Sequence, residues 1–265
     1  MSRRGVARTW VVVAVVLAVV TGAHAESSLD DIRARGVLRV GVKTDAPAFG
    51  SRDANGRLVG LEIDLTRYLA RVLFDDERRA RFVPVTTATR FAELHAGRVD
   101  LLIATVTATE ERRQVAELSE PYFVSAALLL VPAASGVDGI GALAAQRVAV
   151  IRGSVQERDI AQWQPRALLI GVGSVAEGAR AVKGGQADAF VYDDVTLLSL
   201  AQHDPALRVT GLPLGPRPYA VAARKGDTGL IRWVNGWLAR MRRDGSYVEM
   251  WRRHFRAFEG RLVGS

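Results

Sequence analysis

Twice along this chain, apolar runs of five or six residues alternate with stretches whose apolar residues recur at helical spacing, and few architectures accept that rhythm. In the first series, residues 37–43 (VLRVGVK) read as a strand. Leu61 to Phe74 reads as an amphipathic helix with Leu65, Leu69 and Leu73 on one stripe. Residues 82–85 form a second strand, and residues 90–96 a short helix stopped by Gly97. Residues 99–104 (VDLLIA) are almost continuously apolar, as a strand buried on both faces requires. The second series has strands at 147–151, 168–172 and 187–192, with helices opening after Gly153-Ser154, over 175–182 and over 194–202. Two βαβαβ series predict two α/β lobes. Two extended stretches, at 122–132 and 219–223, flank the second series, so the second lobe reads as an insertion into the first. A stripe of Leu230, Trp233, Val234, Trp237, Leu238 and Met241 closes the chain as a core-facing helix.

The first 25 of the 265 residues are read as an address rather than a fold. Arg3, Arg4 and Arg8 precede an 11-residue apolar run, Trp10 to Val20, and Ala23-His24-Ala25 is a peptidase site. The run falls short of the roughly 20 residues that span a bilayer. The reading predicts a cleavable signal peptide over 1–25 and an exported, soluble mature chain of 240 residues. Loss of three arginines lowers the formal charge from +8 to +5, too little over that length to argue for nucleic acid. With no cysteine, disulfides, thiolate nucleophiles and cysteine-based metal sites are excluded.

Phosphate-loop and nucleophile-elbow motifs are absent, and the histidines stand apart from other ligands, so no metal and no cofactor is expected. The notable feature is polar residues at the C-terminal ends of strands, the edge where open α/β sheets bind small ligands. The strand 99–104 runs into Thr105-Val106-Thr107-Ala108-Thr109-Glu110-Glu111-Arg112. Threonine hydroxyls followed by an arginine suit a carboxylate, which a guanidinium holds by two parallel bonds. The same residues also suit a helix N-cap. The strand 187–192 ends in Asp193-Asp194, which can pair with an ammonium group or cap the next helix.

Taken in order, these segments resemble the periplasmic solute-binding proteins of polar amino-acid ABC importers (bacterial extracellular solute-binding family 3). The resemblance rests on GVLRVGVK at 36–43, GLEIDL at 60–65, Arg90 with GRVDL at 97–101, TATEER at 107–112, EPYF at 120–123, GGQADA at 184–189 and RKGD at 224–227. It implies a type II two-lobed fold with two extended hinge segments and a ligand cleft between the lobes. Lobe 1 would comprise 26–124 and 220–265, and lobe 2 would comprise 125–219. It implies a monomer that captures an amino acid in the periplasm by hinge closure and presents it to membrane permease subunits.

Carried over by position, Arg112 would grip the ligand's α-carboxylate with Thr107 and the backbone near Thr105. Asp193 would hold the α-ammonium, and the Gly153-Ser154-Val155 turn would add backbone donors. Family members often carry threonine where this chain has Val155. Many place a stacking aromatic in the loop after the first strand, where only Phe49 is aromatic here. Lys43 and Arg90 resemble the aspartate/glutamate-binding branch, and two further cations would suit a second ligand carboxylate. Glutamine or another polar amino acid is the alternative. Two other uses of the fold are a sensor module and a prephenate- or arogenate-type dehydratase. The latter would need an acid from Asp193, Asp194 or Asp45.

Overall fold

The computed structural model describes residues 28–259. The expected signal peptide, residues 1–25, lies outside them. In chain order the first part contains α1 (Ser28–Arg35), β1 (Leu38–Val42), β2 (Asp45–Ala46), β3 (Gly50–Arg52), β4 (Leu58–Val59), α2 (Leu61–Phe74), β5 (Ala80–Pro84), α3 (Arg90–His95), β6 (Leu101–Leu102), α4 (Glu110–Val115) and β7 (Ala116–Leu118). The second part runs β8 (Phe123–Pro132), β9 (Arg147–Ile151), α5 (Val155–Trp163), β10 (Leu168–Val172), α6 (Val175–Lys183), β11 (Ala189–Asp193), α7 (Asp194–His203) and β12 (Leu207–Tyr219). The chain then returns through β13 (Ala222–Arg224), α8 (Thr228–Arg243) and α9 (Ser246–Phe255).

Two five-stranded mixed sheets form two lobes. The first has the order β5-β1-β6-β13-β7, and the second β10-β9-β11-β8-β12. In each, three strands are parallel: β5, β1 and β6 in one, β10, β9 and β11 in the other. The antiparallel partners arrive by the crossings. β8 and β12 pair along the second sheet as far as Tyr219 opposite Phe123. Three residues later β13 enters the first sheet, antiparallel between β6 and β7. The lobes are therefore joined by two adjacent extended segments, tied by Tyr122 N–H to the Tyr219 carbonyl (2.8 Å) and Ser119 N–H to the Val221 carbonyl (2.9 Å).

Each sheet buries both faces, as parallel strands covered by helices must. Val40, Val42, Leu101, Ile103, Leu65 and Leu69 pack with Leu230, Val234, Leu238 and Met241 of α8. Val85, Leu94, Leu102 and Ala104 fill the other face of that sheet. Trp233 and Trp237 lie half-buried against the first core, so the α8 stripe packs inward. The expected strand at 99–104 narrows to β6, although its flanks stay buried. Asp100 sits where that strand begins and pairs with Arg35 and Arg39.

Candidate functional site

The C-terminal ends of the parallel strands of the two sheets face each other across one small polar pocket. Lobe 1 lines it with Thr87, Arg90, Thr105, Thr107 and Arg112. Lobe 2 adds Ser154, Val155, Gln156, Tyr192 and Asp193. Seven of the eight residues expected from sequence are therefore brought together.

On the first side, Thr109 caps α4, its hydroxyl accepting from Arg112 N–H, so Arg112 starts on the first turn and reaches back over the strand end. Its guanidinium donates to the Thr107 carbonyl (2.9 Å) and lies 5.7 Å from the Phe91 ring centroid. Burial, reinforced by the nearby Arg90 cation, pulls its pKa down to about 9. Arg90 opens α3 and is buried. One nitrogen donates to the Ala104 and Thr105 carbonyls (2.5 and 3.0 Å), while its Nε has no partner.

Thr105 joins these groups. Its φ of +48° lies in the left-handed region that a threonine rarely adopts. Its N–H donates to Glu62 Oε1 at 2.6 Å and its carbonyl accepts from Arg90. Glu62, on the first turn of α2, also accepts from the Tyr122 hydroxyl (2.5 Å), and its second oxygen has no partner. Burial pushes the Glu62 carboxyl up to about 7, against the pull of the Tyr122 and Thr105 hydrogen bonds.

On the second side, β9 ends in a turn through Gly153 (φ +73°) into α5. Ser154 caps α5, accepting from Glu157 N–H (3.1 Å), and the Glu157 carboxylate accepts from Gly153 N–H (2.8 Å). The helix N-terminus, with Val155 and Gln156 on its first turn, thus opens on the pocket. Asp193 ends β11 and accepts from the Gln156 side chain at 2.5 Å. Burial pushes its pKa up to about 6.

The remaining candidates are placed elsewhere. Lys43 is fully buried but does not line the pocket. Its ammonium pairs with Asp45 (2.9 Å) and reaches the hydroxyl of Thr87 (3.4 Å), which stands between it and the cavity. One of the two cations that argued for an acidic ligand is thus already matched. Asp194 turns away, bonded by the Ser125 hydroxyl (2.6 Å) and its neighbour's N–H (2.8 Å). Phe49 packs edge-on against Phe123 and Tyr219 at the crossing, in the core. Thr87, Gln156 and Tyr192 were missed. Tyr192 and Gln156 are sequence neighbours of singled-out residues, and the rule that strand ends carry the site covers both.

The lobes also touch outside the pocket. Arg158 of α5 pairs with Glu111 of α4 at 2.7 Å, and Val175 N–H at the start of α6 donates to Asp45 at 3.2 Å.

Comparison with known proteins bears on the family and the fold. The family described as bacterial extracellular solute-binding proteins, family 3, matches residues 38–257. The chain is 33% identical over 215 residues to the ABC transporter glutamine-binding protein of Bacillus subtilis, covering 80% of this chain and 79% of that one. Among solved structures, the solute receptor for L-cysteine of Neisseria gonorrhoeae superposes with a TM-score of 0.85 at 28% identity, over 89% of this chain and 97% of the other. An ancestral amino acid-binding protein described as a precursor of cyclohexadienyl dehydratase gives 0.78 at 33% identity, over 86% and 99%.

Proposed function

The chain belongs to the bacterial extracellular solute-binding proteins of family 3 and is a substrate-binding protein of the amino-acid ABC importer type; from that premise we propose that it captures a polar α-amino acid, glutamine first, between its lobes. The observation that carries this reading is one small pocket with Arg112 on one wall and Asp193 on the other. Those groups match the two charges of a zwitterion. Arg112, with Thr107 and the N-terminus of α5, takes the α-carboxylate. Asp193, steadied by Gln156, takes the α-ammonium. Thr87, Tyr192 and Arg90 are left for the ligand side chain.

Charge balance favours an uncharged side chain. Asp45 matches Lys43, and Glu62 lies in the field of Arg90. A carboxamide then adds hydrogen bonds without an unmatched charge, which closure would make expensive. A second reading, an acidic ligand, is favoured by the unpartnered Nε of Arg90, which a ligand carboxylate would satisfy.

Capture is binding without chemistry. Contacts to both walls exist together only when the lobes meet, so ligand shifts the chain toward the closed form by its differential affinity. The closed monomer is then offered to permease subunits at the periplasmic face of the membrane, after removal of residues 1–25. The lobe boundaries proposed are 26–124 with 220–265, and 125–219, supported by the pairing of Phe123 with Tyr219 where the sheets part.

Calorimetry on the mature chain, unfolded and refolded to strip bound ligand, tests this with L-glutamine, L-glutamate, L-aspartate, L-arginine and L-cystine. L-Glutamine should bind saturably, and Arg112→Ala should weaken it by about 2–5 kcal/mol, because a buried carboxylate loses its partner. Absence of binding by every amino acid, or an Arg112→Ala protein that binds like the parent, overturns the assignment.

A further inference from the structure

The short strand β2 opens on a carboxylate, Asp45, that reaches both lobes without lining the pocket. One oxygen of Asp45 pairs with the Lys43 ammonium at 2.9 Å. The other accepts from Val175 N–H, the first helical residue of α6, at 3.2 Å. Lys43 is fully buried, so the lobe 1 end of this bridge is anchored away from water. The lobe 2 end is a helix N-terminus, where exposed N–H groups and the helix dipole attract an anion. Ser174 and Glu177 cap α6 as Ser154 and Glu157 cap α5, and in both helices the N–H of the first helical residue lies outside that box. Ser174 accepts from Glu177 N–H (3.2 Å) and Glu177 accepts from Gly173 N–H (2.7 Å), while the N–H of Val175 goes to the opposite lobe.

We propose that Asp45 is a positioning residue of ligand capture: when the lobes meet, its Lys43-anchored carboxylate clips the N-terminus of α6 and holds the pocket shut. This rests on the closure mechanism proposed above. It also gives Lys43 a role that its absence from the pocket wall otherwise leaves open. Lys43 fixes the clip and does not touch the ligand. The second contact between lobes, Arg158 with Glu111, has both side chains more than half exposed and is a weaker tie.

Two variants separate the clip from general stability. Asp45→Asn removes the charge but leaves Lys43 buried without a counter-charge. Val175→Pro removes the donor and leaves the Asp45–Lys43 pair intact, although it also replaces a buried valine of the lobe 2 core with a smaller ring; proline is tolerated at the first helical position, and Ser174 already has the extended conformation that a following proline requires. Stopped-flow fluorescence would give association and dissociation rates for L-glutamine. The chain has no cysteine, so dyes on Asn55→Cys and Gln202→Cys, one per lobe, report the interlobe distance.

Both variants should release L-glutamine five- to twentyfold faster with association changed less than twofold, and the liganded distance distribution should move toward the separated form. Should Asp45→Asn fail to fold, Val175→Pro decides alone. Should no amino acid bind the parent, the proposed function falls, and the closed fraction of the free chain then decides the clip. It must drop in Val175→Pro. A dissociation rate within twofold of the parent, or an unchanged closed fraction where that is the readout, overturns the proposal.

Discussion

Thr105 concentrates the stress of the pocket in one residue. A β-branched residue at positive φ costs about 1–3 kcal/mol, and here both its backbone groups are held, one by Glu62 and one by Arg90. Tyr122→Phe would leave Glu62 Oε1 with the Thr105 N–H alone. The expected loss is about 1–3 kcal/mol, read from the urea midpoint. The titrations make a second prediction. Ligand ammonium needs ionised Asp193, whose pKa burial raises to about 6, so affinity falls as pH drops through about 6. Ligand carboxylate needs charged Arg112, lowered to about 9, so affinity falls again as pH rises through about 9. Calorimetry across pH should give a plateau between these limits, and Glu62→Gln should keep the acid limb near 6. In the free chain Asp193 has the opposite sign: its folded pKa exceeds the ordinary value, so its contribution to stability is full at low pH and is lost as pH rises through about 6. Arg112 and Asp193 were legible because strand ends in α/β sheets carry ligand groups. The fate of Lys43 was not, because its pairing with Asp45 depends on how the chain turns between β1 and β2.

At the level of elements, the two βαβ series were legible because short apolar runs alternate there with apolar residues at helical spacing, a rhythm that the apolar runs at 10–20 and 122–132 lack. β12 was not. It carries Gly211, Pro213, Gly215, Pro216 and Pro218, a composition that reads as loop. It forms because it is the edge strand of its sheet, where missing N–H donors face no partner, and its ladder shifts register between Thr210 and Leu214 and again before Arg217. Packing of α6 on its sheet is equally invisible in sequence. A Cβ on Gly178 would come 2.6 Å from the Phe190 ring. Alanine there gains about 1 kcal/mol of helix propensity but overpacks the core at about 1–3 kcal/mol. Gly178→Ala should therefore lose about 1 kcal/mol net in urea unfolding, and a more stable variant would show that the ring has room to move.

For the molecule as a whole, ligand should act as a staple between lobes. At a ligand concentration of one hundred times Kd the native state gains about 2.7 kcal/mol, which for a chain of this size corresponds to a rise of roughly 5–10 °C in Tm. Differential scanning calorimetry with L-glutamine should show it, and Arg112→Ala should abolish it. The two-lobed plan was legible from the order of the two series and the flanking extended stretches. The width of the cleft was not, because it is set by contacts such as Asp45 with α6 that join residues 130 positions apart.

The placement of β13 has a consequence for biogenesis. This strand sits inside the first sheet, between β6 and β7, yet begins at residue 222 of 265. A nascent chain lays down β5, β1, β6 and β7 early but leaves a vacant rung among them until the entire insertion has been made. Lobe 2 has all its strands before that rung is filled, so it can consolidate first, while its older neighbour waits, unzipped, for a late arrival.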